Sequence, residues 1–245
     1  MLQIRILSPA NNKINWPPKD ADIITQVERY LAYETSLATE QQLAGLSATV
    51  LQAQLTLVLA ANTAAKTAED TRAYQSNLLA NELETVKPKI AQATLALKTR
   101  HFGVEAILEQ WGYTTTIGQD GKIKVRQPAN PKDIIAFMSQ YVAKETSLEP
   151  AERVTSPTLA EMTAHHTAIQ NAVTARDAAQ SQREAAVEER GRQARKLLYL
   201  YQLAAGMRVM LTFNGLITNQ LENWGYAVLE LAPPKEEEEE GQSPA

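Results

Sequence analysis

"LEQWGY" at residues 108–113 returns as "LENWGY" at 221–226. Working outward from these two hexamers, a second match lies upstream of each. "DIITQVERYLAYETSL" (Asp22–Leu37) precedes the first, and "DIIAFMSQYVAKETSL" (Asp133–Leu148) precedes the second. The upstream landmarks are 111 residues apart and the Trp-Gly-Tyr landmarks 113. Two landmarks in the same order at nearly constant separation indicate an internal duplication. The period is too long for solenoid repeats of roughly 20–50 residues, so each copy is expected to be a domain-sized unit.

Apolar spacing within each copy predicts helices. Ile23, Val27, Tyr30 and Leu31 recur at intervals of three and four, as do Ile134, Phe137, Tyr141 and Val142. In the second copy Asn130 reads as an N-cap, Pro131 as the first helical residue and Asp133 as a first-turn acid. Pro18 and Asp20–Asp22 give similar signals in the first. Both helices are expected to end near the Thr-Ser pair. A second helix then starts in each copy, marked at 156–161 by Ser156, Pro157 and a Thr158/Glu161 capping box. Ala-rich sequence follows in both, with Ala61, Ala64, Ala65 and Ala68 at helical spacing, as in close-packed or coiled-coil helices. No Pro or Gly lies between Gly45 and Lys87, so the sequence fits one very long helix or a helical hairpin near Thr67–Asp70. Pro88 and Gly191 are the expected breaks or kinks. A final helix is expected to run into each Trp-Gly-Tyr, at about 103–110 and 209–223. Gly112 and Gly225 are placed as left-handed C-caps, where glycine meets no Cβ penalty.

Short strands complete the pattern. "LQIRIL" (2–7) alternates apolar and polar residues, 114–125 reads as a β-hairpin around Asp120-Gly121, and 226–231 alternates in part. The fold class is therefore mainly α: a tandem duplication of a helical-bundle unit with long Ala-rich helices, plus a small β element. The expected organisation is a strand and lead-in at 1–18, repeat one at 19–116, a hairpin linker at 117–130, repeat two at 131–231 and a disordered acidic tail at 232–245. Whether the repeats fold independently or intertwine is left open by the sequence.

A helical unit closing on Leu-x-x-Trp-Gly-Tyr before an apolar strand resembles a group of uncharacterised bacterial helical-bundle proteins. In these an Ala-rich region ends on a Trp-Gly-aromatic signature. Trp111-Gly112-Tyr113 and Trp224-Gly225-Tyr226 carry the resemblance residue by residue. It implies a fold type and no activity.

Composition narrows the function classes. The chain has no Cys, so neither disulfides nor thiolate metal sites are available to it. Its start lacks the basic residues and apolar core of a signal peptide, and a cytoplasmic location is expected. The apolar window Leu197–Phe213 is interrupted by Gln202 and Arg208 and falls short of the roughly 20 residues of a membrane span. One Lys and five Glu in the tail account for the whole net charge of −4, leaving 23 basic and 23 acidic residues elsewhere. A neutral body has no overall field to attract nucleic acid.

No nucleotide-binding or nucleophile motif is present. Only His101, His165 and His166 could serve as imidazole ligands, and adjacent His165 and His166 point about 100° apart on a helix. No metal, cofactor or catalytic residue is therefore assigned. Glu34 and Glu145 occupy matching positions before Thr-Ser-Leu. They read either as a carboxylate pair between the copies or, as adopted here, as organisers of a helix end. Arg190, Arg192, Arg195 and Lys196 form a basic cluster, as do Lys122, Lys124 and Arg126, with acidic neighbours at Glu188 and Glu189. The residues expected to matter structurally or in an interface are Trp111, Tyr113, Trp224, Tyr226, Glu34 and Glu145. The expected function is a non-enzymatic structural or protein-interaction scaffold, with protein partners or self-association and no membrane. The first alternative is a small-molecule binder or enzyme with a site between the repeats, and the second a nucleic-acid-associated protein.

Overall fold

A computed structural model describes residues 12–43, 48–118 and 123–230. In chain order it contains β1 (Asn12–Asn15), α1 (Asp20–Ser36), α2 (Ala48–Arg100), β2 (Thr114–Ile117), β3 (Ile123–Arg126), α3 (Pro131–Thr146), α4 (Leu159–Thr212) and β4 (Ala227–Glu230). Short 3₁₀ turns at Thr39–Gln41, Glu105–Trp111, Pro150–Glu152 and Asn219–Trp224 join them. The chain is mainly helical, with two small antiparallel strand pairs.

The helix starts follow their sequence signals. The Asn130 side chain accepts the Asp133 backbone N–H at 2.9 Å. The capping box at α4 closes both ways: Thr158 N–H donates to Glu161, and Glu161 N–H donates to Thr158 Oγ1. That backbone donor, followed by Lys89, holds the Glu161 carboxyl down at about 2. α1 and α3 bury the same stripe, since Ile23, Val27, Tyr30 and Glu34 lie 111 residues before Ile134, Met138, Tyr141 and Glu145, and all eight are buried.

Several expectations need correction. α2 is one helix of 53 residues, with no hairpin near Thr67–Asp70. Pro88 sits inside it without ending it, because Val86 and Ile90 on either side are fully or almost fully buried. Tertiary packing there outweighs a helix-interior proline penalty of about 3 kcal/mol. Gly191 is likewise carried within the 54-residue α4. The segments before each Trp-Gly-Tyr are 3₁₀ turns rather than α-helices. The long helices stop first, at left-handed Gly103 (φ +83°) and at the left-handed pair Asn214 and Gly215 (φ 52° and +85°). At the second stop Gly215 N–H returns to Val209 C=O at 2.8 Å, a Schellman-type closure. The strands form two separate sheets, β1 with β4 and β2 with β3, not one. The 2–7 segment, the tip of the 114–125 hairpin and the acidic tail lie outside the described residues.

The compact units do not follow the sequence repeats. One unit holds the described residues up to Ala65 together with those from Ala186 onward; the other is Lys66–Ala185. The first core takes Val27, Tyr30, Leu51 and Val58 from repeat one and Tyr201, Val209, Trp224 and Tyr226 from repeat two. The second takes Val86, Ile90, Leu97 and Trp111 from repeat one and Ile134, Phe137, Met138 and Met162 from repeat two. Each core is thus built from both repeats.

Candidate functional site

In the first unit Glu34 is fully buried near the end of α1. Its Oε1 accepts the Leu43 N–H at 2.6 Å, and its Oε2 accepts the Trp224 indole N–H at 2.8 Å. The Arg208 guanidinium, itself 3% exposed, also donates to Oε2. Arg208 donates further to the Gln41 carbonyl at 2.8 Å, and its guanidinium carbon lies 4.8 Å from the centroid of the Trp224 ring. One carboxylate thus fixes the end of α1, the following turn, α4 and the Trp-Gly-Tyr segment.

The second unit repeats the arrangement. Glu145 is fully buried; Oε1 accepts the Trp111 indole N–H at 2.7 Å and Oε2 the Val154 N–H at 2.8 Å. No cation pairs with this carboxylate among the described residues. Arg100 instead donates to the carbonyls of Glu152 and Arg153, and Lys144 Nζ lies 5.3 Å from the Trp111 ring centroid. Glu152 lies 111 residues after Gln41, so each unit sends one guanidinium to a matching carbonyl, from different helix positions.

The glycines explain the rest of the motif. Gly225 (φ +79°) and Gly112 (φ +86°) are left-handed caps lying against α1 and α3. A Cβ on Gly225 would stand 2.9 Å from the Gln26 carbonyl oxygen and 3.0 Å from Arg29 Cβ. On Gly112 the closest atom would be the Gln140 side-chain oxygen at 2.9 Å. A left-handed residue with a Cβ costs roughly 1–2 kcal/mol, and only at 225 is the obstruction a backbone atom. Gly225→Ala is therefore expected to lower the melting temperature most, Gly112→Ala next, and Gly103→Ala and Gly215→Ala least, since nothing lies near a Cβ at the last two. Thermal melts of the four variants check the order.

The tyrosines close both cores. Tyr226 is buried, stacks on Tyr201 at 4.5 Å and donates to the Tyr201 carbonyl at 3.3 Å. Tyr113 is buried with its hydroxyl 3.1 Å from Thr94 Oγ1 and its ring against Phe137. Burial raises the phenol pKa of both, and does the same for Tyr30, Tyr141 and Tyr201.

Glu34 and Glu145 belong to different units, and every hydrogen-bond partner of each carboxylate comes from its own unit. Their oxygens serve as acceptors for fixed donors. Beside each tryptophan is a surface cleft, about 610 Å³ in the first unit, with Tyr33, Arg208 and Leu211 on its walls. The cleft in the second is about 430 Å³, with His101, Ile107 and Lys144.

The remaining polar candidates have local roles. His101 packs on Trp111 with ring centroids 5.5 Å apart, and His166 Nε2 lies 3.0 Å from Ser139 Oγ. Arg192 pairs with Glu189 at 2.6 Å. Lys122 lies outside the described residues, where 123–126 forms β3. Among the described residues no group of three or more His, Cys, Asp or Glu is placed to hold a metal.

Sequence reasoning missed Arg208, Tyr201 and Trp16. The Trp16 ring packs edge-on to Tyr201 and Tyr226, at 6.1 and 6.2 Å. Arg208 had a signal. A lone arginine in the apolar window 197–213 requires a buried partner, because an unpaired buried charge is costly.

The chain matches no protein-family model, no curated protein and no solved structure at a significant level.

Proposed function

We propose that this chain is a non-enzymatic structural or protein-interaction scaffold, built by tandem duplication of a helical unit and working in the cytoplasm. The carrying observation is that the residues repeated in the sequence recur in one role. In each unit a buried glutamate accepts an indole N–H and a turn N–H, and a glycine lets the tryptophan's turn lie on a helix. Repetition of this kind serves the framework. What the framework then offers is its surface, including large exposed side chains such as Phe102 at 88%, Leu95 and Leu211 at 69%, and Met210 at 62%. Exposed apolar groups of this size mark surfaces that other proteins cover.

Cross-linking of the full chain in its source cell, followed by mass spectrometry, tests the reading. The expected result is a reproducible set of cross-links to a protein neighbour or to other copies of the chain. A chain that is monomeric and yields only internal cross-links would contradict it.

A further inference from the structure

α2 begins on an uncharged stretch. Residues 41–65 contain no Asp, Glu, Lys or Arg, whereas the rest of α2, residues 66–100, carries ten. The 48–65 segment nevertheless remains largely uncovered. α2 holds an 18-residue window of mean hydropathy 1.2, of which 33% is buried. The buried face, including Leu51, Leu55, Val58 and Ala61, lines the core of the first unit.

A second face of the same segment has no cover among the described residues. Val50 is 41% exposed and Leu57 49%, and Ala53, Ala60 and Ala64 between and beyond them are exposed. Positions 50, 53, 57, 60 and 64 alternate in steps of three and four. That is the 3.5-residue period of a seam covered by another helix in a left-handed pair. A bilayer imposes no such period, because lipid accepts any apolar side chain around a helix. Large residues alternate with alanine along the first four positions, so the knobs of one seam have shallow alanine sites to enter on an identical seam. The flanking Gln52 and Thr56 are exposed and uncharged, which removes like-charge repulsion from self-pairing.

We infer that the α2 seam formed by Val50, Ala53, Leu57, Ala60 and Ala64 is covered by the same seam of a second copy, making the chain a homodimer. This rests on the interaction reading above and names the partner.

Sedimentation equilibrium of the full chain is the test. The expected mass at micromolar concentration is twice 27.0 kDa. Leu57→Glu places a charge from each copy at the seam centre and is expected to weaken association at least a hundredfold. Leu95→Glu, at a residue 69% exposed in the other unit, should leave the mass unchanged. Because the chain has no cysteine, Leu57→Cys supplies a single thiol. Mild oxidation should link two copies through it, and Leu95→Cys should not. Circular dichroism of Leu57→Glu matching the parent shows that loss of mass is not loss of fold.

A monomeric parent chain would overturn the inference, as would a dimer indifferent to Leu57→Glu, or binding of a monomer to phosphatidylcholine vesicles through this face. A chain that ignores these substitutions yet still cross-links to another protein retires the seam and leaves the scaffold reading intact. A monomer with internal cross-links alone retires both.

Discussion

Glu34→Gln is expected to destabilise the protein by about 3–5 kcal/mol, the range for breaking one side of a buried ion pair. Glu34 is fully buried and Arg208 is 3% exposed, so the charge left behind has no route to water. The amide also fails as a replacement. Oε1 and Oε2 both accept from N–H donors, and Gln can offer an oxygen to only one side while turning an NH₂ toward the other. The matching Glu145→Gln is expected to cost less, about 1–3 kcal/mol, because it leaves an unpaired hydrogen-bond donor but no stranded cation. Denaturant unfolding of the two variants reads the difference directly. Equal losses would show that the Arg208–Glu34 pair contributes nothing beyond the shared indole contact.

Alkaline pH should unfold the protein steeply. Tyr30, Tyr113, Tyr141, Tyr201 and Tyr226 are buried, and burial is the largest cause raising each phenol above its ordinary value of 10. In the unfolded chain they ionise near pH 10, while in the folded state they stay neutral. Their contribution is complete below pH 10 and is lost as pH rises from there toward the folded values. One unit above pH 10 costs about 1.4 kcal/mol per phenol, or roughly 7 kcal/mol for the five, comparable with the whole stability of an ordinary domain. Tyrosinate absorbance and helical circular dichroism followed together should show these five of the eight tyrosines ionising only as helix is lost. Ionisation of all eight with the helix intact would contradict the burial described here.

The sequence was most legible where local chemistry decides. The capping box at Thr158 and Glu161, the Asn130 cap and the left-handed Gly112 and Gly225 follow from residue type and spacing, and all are present. Legibility failed where distant packing decides. Pro88 is a helix breaker by local rules, but buried neighbours hold the helix through it. The extended helices end at Gly103 and Gly215, glycines that carry the same backbone signal as Gly112 and Gly225, and local sequence does not rank the two pairs. Glu34 and Glu145 stood out because they repeat. Their partners did not, because Trp224 lies 190 residues from Glu34, in the other repeat. Periodicity within a copy says which face is buried and nothing about which copy covers it. Arg208 was visible as an oddity and is intelligible only beside Glu34.

The account stands on each unit drawing its core from both repeats, and cutting the chain in the hairpin between Gly118 and Ile123 tests that. The two fragments should each lack a folded monomeric state, since each separates a buried glutamate from its tryptophan: Glu34 from Trp224 and Glu145 from Trp111. Mixed or co-expressed, they should form a one-to-one complex with the circular dichroism and denaturant midpoint of a stable fold. Two fragments that each fold cooperatively as monomers, with no tendency to associate, would contradict it.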